Sequence, residues 1–447
     1  MPIERDHEKN AAVCIISLGC VKNTVDSEYL LGLVRSLGYQ PVSSPELADI
    51  VIINTCTFIQ AASEESISTI LDAASLKEKG VIKKIIVTGC LSQRYSADLA
   101  EKLPEVDAFT GTGNPDLAAA LIRGGGKRIQ VGSPGSWIPS DISIREPSGP
   151  VSYLKIGDGC SRKCSFCIIP LLKGPAVSKR PEILLEEARI LVEKGSREIC
   201  LVAQDTADYG RDLGIKNGLV RLVDSMRSIP HLRWLRLLYV YPTSVNPDLV
   251  RLLQEGPPVV PYLDIPVQHA DAGVLKKMRR GYGPETMYEV VETLRKNVQG
   301  ITLRTTVLVG HPGEDDAAFE NMMKFLNWAR FERLGVFRFS PEEGTDAAGW
   351  TEPSRTSSYN RFRKIRSLGR RQQADANKRL RGRILEVLLE GPDHDAPYLM
   401  QARHAGQAPD VDGVTHLADA GDLEAGDIIR AEVEDTDDYD IIARRCK

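Results

Sequence analysis

The sequence lacks the features that assign many chains to a class at first sight. It has no apolar run of the roughly 18 or more residues that a membrane-spanning helix needs. Its first ten residues are polar and charged, without the apolar core of a secretory signal peptide, so we expect a cytoplasmic protein with no membrane partner. Its 57 Lys and Arg nearly balance its 61 Asp and Glu, so overall charge does not indicate a nucleic-acid-binding protein.

Cysteine is too scarce for a disulfide framework. The chain has nine cysteines in 447 residues. An odd number in a long chain without a signal peptide argues against paired disulfides and favours metal binding or thiol chemistry where cysteines cluster. At this length we expect two or three domains.

Residues 11–131 alternate short apolar runs with helical patterns. The predicted strands are 13–18, 50–54 and 84–89, and the predicted helices between them include 25–38 and 61–79. This alternation predicts an amino-terminal α/β domain with a parallel sheet. Residues 132–150 are rich in Ser, Pro and Gly and are predicted to form a linker.

Residues 151–375 contain a second, longer series of the same kind. Six strands are predicted, with helical stretches in the gaps between them, at 152–157, 198–204, 234–239, 262–266, 303–310 and 335–340. Six consecutive βα units predict a partial (β/α)6 barrel rather than a closed eight-stranded one.

The charge of the chain changes sign after these units. Residues 355–383 contain eleven Lys or Arg and one acid, whereas residues 384–447 contain sixteen Asp or Glu and five Lys or Arg. Short apolar runs separated by turns predict a small β-barrel over 376–447. An acidic barrel repels phosphate and favours a basic protein partner. The basic stretch could contact RNA, or it could be a solvated helix paired with acidic neighbours.

The strongest motif is Cys160-Ser-Arg-Lys-Cys164-Ser-Phe-Cys167, directly after the first predicted barrel strand. Three close thiolates suit an iron–sulfur cluster or zinc. A zinc site normally needs a fourth Cys or His at short spacing, and the sequence has none there. Three ligands would leave one iron of a [4Fe–4S] cluster open, at the end of the barrel where active sites lie. The alternatives are a zinc knuckle and three fortuitous thiols.

A second set of cysteines is dispersed in sequence but shares one structural position. Cys20, Cys56 and Cys90 each follow a predicted strand, in SLGC, INTC and VTGC. Because the carboxyl ends of neighbouring parallel strands meet in one crevice, the three thiols should converge there. Three thiolates are enough for a second cluster. The alternative is three separate buried thiols.

The C-x3-C-x2-C run, with Phe166 before its last cysteine, resembles the signature of radical S-adenosylmethionine (SAM) enzymes. The dispersed cysteines, the segments Leu18–Asn23 and Val25–Glu28, and a terminal domain similar to a TRAM module extend the likeness to the methylthiotransferases. The segment Val202–Thr206 is similar to the RimO branch of that family. Lys173 stands where the family often has arginine, and His311 where phenylalanine is usual.

This resemblance implies a transferase that inserts a methylthio group at the β-carbon of an aspartate in the twelfth small-subunit ribosomal protein. SAM would be both methyl donor and radical source. Two [4Fe–4S] clusters are implied, an auxiliary one on the dispersed set and a SAM-binding one on the close set: Cys20, Cys56 and Cys90, and Cys160, Cys164 and Cys167.

The resemblance and the strand ends together predict SAM contacts in the barrel. The candidates are Gln204, Asp205, Thr206, Gln268, His269, Arg304 and Gly310. Each also has an ordinary explanation: strand-end capping, a structural histidine, a solvated arginine or turn chemistry.

Two other functions stay open at this point. A tRNA adenosine methylthiotransferase would use the same chemistry on RNA. A non-catalytic iron–sulfur protein that binds ribosomes would hold clusters without cleaving SAM. The expected partners of the enzyme are the ribosomal protein or assembled subunit, a low-potential electron donor such as flavodoxin, and RNA if residues Arg355–Arg383 contact it.

Overall fold

The computed structural model describes residues 11–113, 115–123, 126–134, 142–147, 149–393, 396 and 398–446. The polar tail 1–10 and part of the predicted linker lie outside them. The described residues form two compact units. The first runs to Glu146 and includes Gly157–Arg162 and Ile168–Lys179, and the second contains the rest. No helix in these ranges is both long enough and apolar enough to cross a membrane.

The first unit is built on a parallel sheet flanked by helices. Its strands are β1 (Ala12–Ser17), β2 (Gln40–Val42), β3 (Ile50–Thr55), β4 (Lys84–Gly89), β5 (Ala108–Thr110) and β6 (Ile129–Gln130). Its helices are α1 (Val21–Ser36), α2 (Gln60–Glu78), α3 (Cys90–Lys102) and α4 (Pro115–Ile122). The predicted α/β fold is confirmed. Sequence patterns missed β2, β5 and β6, which are only two or three residues long.

The strand order of this sheet is β2-β1-β3-β4-β5-β6. From β1 the chain moves to one side to form β2, and then it returns to the other side for β3 and the later strands. This reversal of direction is a topological switch point, and it opens a crevice at the carboxyl ends of β1 and β3. Ligands of open parallel sheets bind at such crevices.

The chain enters the second unit with β7 (Val151–Lys155) and then contributes a short excursion to the first unit. That excursion is an antiparallel pair, β8 (Gly157–Asp158) and β9 (Val177–Ser178), with the single-turn helix α5 (Ile169–Lys173) between its strands.

The second unit contains an open parallel sheet of six strands. After β7 come β10 (Glu198–Val202), β11 (Trp234–Leu237), β12 (Val259–Asp264), β13 (Thr302–Val309) and β14 (Arg333–Arg338), paired in that order. Its helices are α6 (Pro181–Glu193), α7 (Gly218–Met226), α8 (Pro247–Gln254), α9 (Ala272–Lys277), α10 (Pro284–Asn297) and α11 (Asp316–Ala329). The predicted six-stranded partial barrel is confirmed.

A long helix, α12 (Arg355–Lys378), leads to the carboxyl-terminal barrel. Its strands are β15 (Ile384–Pro392), β16 (Met400–His404), β17 (Thr415–Ala418), β18 (Ile428–Thr436) and β19 (Ile441–Arg445), closed in the order β15-β16-β17-β19-β18. The predicted small β-barrel is confirmed. The predicted domain boundary between residues 375 and 376 falls inside α12, because the helical pattern continues to Lys378.

Buried charges join this β-barrel to the amino-terminal ends of the six-stranded sheet. Glu198, the first residue of β10, contacts Arg236 and Arg403, each at 2.6 Å, and all three side chains are buried. Arg236 Nη1 donates to the Ala405 carbonyl at 2.8 Å. Burial raises the pKa of Glu198, but the two guanidiniums lower it further, so its pKa lies below the ordinary value.

The loop that follows β16 continues this contact. Tyr153 and Tyr262 donate their hydroxyls to Asp410 and Asp412, at 2.6 and 2.8 Å. Arg304 lies 3.2 Å from Asp264 and 3.8 Å from Asp412. The amino-terminal end of the sheet is therefore covered by the β-barrel, and its carboxyl-terminal end carries the candidate site.

Candidate active site

The dispersed cysteines lie at one edge of the first unit's sheet. Cys20 follows β1 and precedes α1, Cys56 follows β3, and Cys90 is the first residue of α3 after β4. Because β1, β3 and β4 are adjacent in the sheet, their carboxyl ends bring the three cysteines to the switch-point crevice. The sheet order thus places the three cysteines after adjacent strands, and their use as ligands of one cluster stays a prediction.

Two glycines bring the backbone close enough for this convergence. Gly19 has φ +91°, and a Cβ there would lie 2.7 Å from Cys56 Sγ. Gly89 has φ +96°, and a Cβ there would lie 2.4 Å from the Thr55 carbonyl oxygen. Only glycine adopts such a backbone at no steric cost and leaves room for that approach. Cys56 thus packs directly on the residue before Cys20.

Burial and neighbouring cysteines shift the pKa values of Cys56 and Cys90. Burial raises the pKa of Cys90 to about 12; Lys173 lowers it, and Cys20 and Cys56 raise it. Burial also raises the pKa of Cys56. Protonated buried thiols become good ligands only when a metal displaces the proton. The donor set therefore fits a thiophilic cluster.

No three potential ligands among the described residues converge tightly enough for a single metal ion. An iron–sulfur cubane has a different requirement, because each thiolate binds a different iron and the sulfur atoms stand farther apart. The absence of a tight single-ion site among the described residues therefore does not test the predicted cluster.

A buried lysine lies beside this cysteine set. Lys173, at the end of α5, contacts Asp158 at 3.3 Å, and both side chains are buried. Cys90 packs with Ile168 and Leu172 of the same turn. Burial lowers the pKa of Lys173, but Asp158 and Cys90 raise it further, so the side chain stays charged. The buried pair therefore places a cation beside Cys90.

The close cysteines are divided between the two units. Cys160 lies in the first unit, where its N–H donates to the Gly174 carbonyl at 3.0 Å. Cys164 and Cys167 lie in the second unit, where the Cys167 N–H donates to the Cys164 carbonyl at 3.2 Å in a tight turn. Both side chains of that turn are partly exposed.

Hydrogen bonds from several elements hold the turn that carries Cys164 and Cys167. The Ser165 N–H donates to the Met278 carbonyl at 3.2 Å, and the Ser165 carbonyl accepts from Ala347 N–H at 2.9 Å. Ser165 Oγ lies 3.5 Å from His311 Nε2. Burial lowers the pKa of His311 to about 4, so the ring is neutral near pH 7.

Arg280 reaches the same turn from the segment after α9. Its Nη1 donates to Cys164 Sγ at 3.5 Å, its Nε to the Tyr282 hydroxyl at 3.0 Å and its Nη2 to the Pro266 carbonyl at 2.7 Å. The guanidinium lies 4.3 Å from the centre of the Tyr241 ring. A buried cation is therefore fixed against one predicted cluster ligand.

Two strand ends beside this turn have unusual backbones. Gln268, after β12, has φ +69°, a conformation that costs a non-glycine residue energy and often marks a functional position. Its N–H donates to the Thr306 carbonyl at 2.9 Å and its carbonyl accepts from Leu308 N–H at 2.7 Å. Tyr239, after β11, has φ +59°, and its carbonyl accepts from Thr206 N–H at 3.0 Å.

Glu314 connects several of the predicted SAM contacts. Its Oε2 accepts from the Gly310 N–H at 3.0 Å and lies 3.3 Å from His269 Nε2, without the alignment of a hydrogen bond. Its Oε1 accepts from Arg361 at 2.8 Å. Because His269 Nδ1 accepts from the Asp271 N–H at 3.0 Å, its proton is assigned to Nε2.

Models of three known families match successive parts of the chain. Residues 12–111 match the uncharacterized protein family UPF0004, residues 154–326 the radical SAM superfamily and residues 382–445 the TRAM domain.

The chain is 41% identical over 440 residues to the "Ribosomal protein uS12 methylthiotransferase RimO" of Sorangium cellulosum (strain So ce56), which covers 96% of this chain and 90% of that protein. A protein of the same name from Geobacter sulfurreducens is 41% identical over 437 residues, covering 96% and 97%. The chain belongs to the RimO family of radical SAM methylthiotransferases.

Family membership confirms the transferase activity predicted from the sequence. It also supports the use of SAM and an iron–sulfur cluster. Among solved structures, the chain resembles the radical SAM methyltransferase TsrM from Kitasatospora setae, with TM-score 0.55 and 15% identity over 76% of this chain and 74% of that one. The radical SAM enzyme OxsB matches with TM-score 0.51 and 12% identity over 76% and 55%. At such identities these likenesses show the fold alone.

The predicted SAM contacts divide into two groups in this RimO-family fold. Six of them follow β10, β12 and β13 at the carboxyl-terminal end of the sheet: Gln204, Asp205, Thr206, Gln268, His269 and Gly310. Arg304 is not with them: it is the third residue of β13 and pairs with Asp264, the last residue of β12, and with Asp412 from the loop after β16. Its role as a SAM contact stays a prediction without a supporting contact.

Sequence reasoning gave no role in the site to the charged residues that surround it. Arg280 and Glu314 were not singled out, Arg361 was considered only as part of the basic stretch 355–383, and Lys173 only as a departure from the family pattern. The adjacent arginines in Lys-Met-Arg279-Arg280 gave no signal that one is buried and the other exposed.

Proposed function

We propose that this chain inserts a methylthio group at the β-carbon of an aspartate of ribosomal protein uS12. The observation that carries the proposal is 41% identity, across 96% of the chain, to proteins named for activity on uS12. Two sets of three cysteines, each placed where a parallel sheet holds its ligands, support the use of two [4Fe–4S] clusters.

The residues for each role follow from their positions. Cys160, Cys164 and Cys167 would hold the cluster that binds SAM, and Cys20, Cys56 and Cys90 the auxiliary cluster. The bound cofactors supply the one-electron chemistry that an unactivated C–H bond requires. The protein supplies binding, orientation and exclusion of water.

The polar groups at the carboxyl ends of β10, β12 and β13 would orient SAM. Glu314 fixes the Gly310 backbone and stands beside His269, so the loop after β13 is held in one conformation. Gln268, with its left-handed backbone, is held at the end of the neighbouring strand by backbone hydrogen bonds to Thr306 and Leu308. These residues would orient SAM, and we assign none of them a role in proton transfer.

The acidic β-barrel favours a protein substrate over tRNA. Strand β18 carries the exposed acids Glu432, Glu434 and Asp435. Such a surface repels a phosphate backbone and attracts a basic protein. A tRNA methylthiotransferase would need a positively charged surface on the same domain, so we rank the tRNA substrate second.

The test is an anaerobic competition assay with reduced, reconstituted protein, SAM, uS12 and unmodified tRNA together. We expect mass spectrometry to show a methylthio increment on one aspartate of uS12 and none on the tRNA. An increment on the tRNA alone would keep the chemistry and contradict the substrate. Clusters without any SAM cleavage would indicate the non-catalytic alternative.

We also propose that the substrate form is the assembled small subunit, because α12 presents cations suited to RNA. Arg363, Lys364 and Arg371 are exposed, and within the described part of the chain none has a carboxylate at ion-pair distance. They line a shallow groove of about 520 Å³ with Met323, Asn360 and Ser367. Unpaired cations on one helix face match a phosphate backbone.

Two arginines of the same region serve as matched controls. Arg370 and Arg381 are exposed but pair with Asp438 and Asp435 of the β-barrel. We expect the double variant Arg363→Ala/Arg371→Ala to bind assembled subunits more weakly and with a smaller salt dependence, and to bind free uS12 normally. Arg370→Ala/Arg381→Ala removes the same charge and should leave both unchanged. Equal effects of the two double variants would contradict RNA contact through this face.

The chemistry needs a low-potential electron donor, and we propose a flavodoxin-type protein for that role. A ribosomal substrate also places the reaction in the cytoplasm. The donor is tested by reconstituting SAM cleavage with purified flavodoxin and its reductase in place of a chemical reductant.

A further inference from the structure

Arg280 is buried in the second unit in a way that ion pairing does not explain. Its side chain is only 7% exposed, and no carboxylate among the described residues lies within ion-pair distance of it. Burying an unpaired guanidinium is expensive unless other groups satisfy it. Its partners are a hydroxyl, a carbonyl, two aromatic rings and the Cys164 thiol.

These partners fix the guanidinium plane. Nε and Nη2 donate to Tyr282 and to the Pro266 carbonyl, and the ring of Tyr241 lies 4.3 Å from the guanidinium carbon. The third nitrogen, Nη1, donates to Cys164 Sγ at 3.5 Å. The guanidinium donor makes this a charge-assisted hydrogen bond, and both partners are charged when the sulfur is a thiolate.

We infer that Arg280 is a positioning residue for Cys164 and sets the reduction potential of the cluster that this thiolate binds. The inference rests on the proposed function only in assigning Cys164 to the SAM-binding cluster.

The physical reason is that the reduced cluster carries one more negative charge than the oxidised one. Hydrogen bonds to ligand sulfurs and nearby net charge are among the main determinants of iron–sulfur potentials. A fixed cation with an N–H aimed at the sulfur stabilises the reduced state and raises the potential. Residues that hydrogen-bond to a metal ligand without binding the metal themselves are known to tune the properties of the metal centre.

The adjacent residue offers a matched control. Arg279 has the same charge and length but is half-exposed, and it pairs with the exposed Asp346. Removing it changes the net charge of the protein equally without touching the cysteine turn. Screening by water makes such an exposed charge much less effective on a buried centre.

The experiment uses full-length protein in which Cys20, Cys56 and Cys90 are replaced by Ala, so that one cluster remains. Arg280→Met, Arg280→Lys and Arg279→Met are reconstituted anaerobically, and iron content and the reduced-cluster EPR signal are measured against applied potential. For Arg280→Met we expect normal iron content and a ratio of reduced to oxidised cluster about tenfold lower at a fixed potential, or about 59 mV for one electron. The midpoint potential of Arg280→Lys should lie between those of Arg280→Met and the parent protein. The midpoint potential of Arg279→Met should equal that of the parent protein.

An unchanged midpoint potential in Arg280→Met would overturn the inference. If Arg280→Met fails to retain iron, Arg280→Lys decides: a lowered midpoint supports the role and a parental midpoint contradicts it. An equal shift in Arg279→Met would show a general charge effect and also contradict it. None of these readouts needs uS12 or turnover, so a failure of the proposed substrate would leave this result unaffected.

Discussion

The two cysteine sites use the same kind of ligand in different electrostatic surroundings. In the first unit the nearby cation, Lys173, is neutralised by Asp158, and Cys56 and Cys90 are buried. In the second unit Arg280 has no carboxylate partner in the described structure and donates directly to a partly exposed Cys164. Identical donor sets can therefore serve different roles, because net charge and hydrogen bonds to sulfur set the properties of each cluster. We expect the second site to have the higher reduction potential.

The largest effects should come from removing one ligand at each site. Cys164→Ala should abolish SAM cleavage, because the open-iron cluster loses a ligand. Cys90→Ala should retain SAM cleavage and lose methylthio transfer, because only the auxiliary site is damaged. The two products, 5′-deoxyadenosine and methylthiolated uS12, are measured in the same reaction by mass spectrometry.

Each of these two predictions can be contradicted by a single result. Normal deoxyadenosine formation by Cys164→Ala would contradict the assignment of the close cysteines. Loss of deoxyadenosine in Cys90→Ala with full iron on the close set would show that the sites do not divide the work in this way.

The next effect concerns stability of the first unit. Lys173→Met leaves Asp158 buried without its cation, and breaking a buried pair costs about 3–5 kcal/mol. We expect the free energy of unfolding of the cluster-free protein to fall by that order in urea titrations. Lys173→Arg should retain most of that stability, because it keeps a cation beside Asp158.

A double variant separates charge from packing at this site. Lys173→Met/Asp158→Leu replaces the pair with apolar groups and should recover much of the lost stability. Lys83→Met is the surface control, since Lys83 is 77% exposed in its ion pair with Asp49 and should change stability little. A stable single variant Lys173→Met would contradict the buried-pair interpretation.

A pH-dependent effect that is absent near neutral pH should distinguish the second unit. Burial lowers the pKa of His404 in β16 to about 3, with Arg333, Arg236 and Arg403 adding to the shift. The unfolded chain therefore binds a proton from about pH 6.5 downward while the folded chain does not. Stability should fall by about 1.4 kcal/mol per pH unit as the pH drops from 6.5 toward 3.

His404→Gln removes that titration. We expect its unfolding free energy to decline less steeply than that of the parent protein between pH 6.5 and 4. Parallel curves would show that His404 is not the group responsible.

Much of the fold and the positions of the cysteines were predictable because they depend on local patterns. Strands of the first sheet are apolar runs with a cysteine directly after them, as at Cys20, Cys56 and Cys90. Since parallel strands present their carboxyl ends together, strand phase alone predicted the convergence. The six βα units and the small β-barrel followed from the same alternation.

The surroundings of the sites were decided only by the tertiary structure. Arg279 and Arg280 are adjacent in sequence, yet one faces water and the other donates to Cys164, which is 116 residues away along the chain. Arg304 faces the β-barrel because Asp412, 108 positions later, folds back onto the amino-terminal end of the sheet. The sequence determined which atoms can bind the clusters, because ligand chemistry and strand phase are local properties. The charges that tune those atoms come from distant segments, and only packing brings them together.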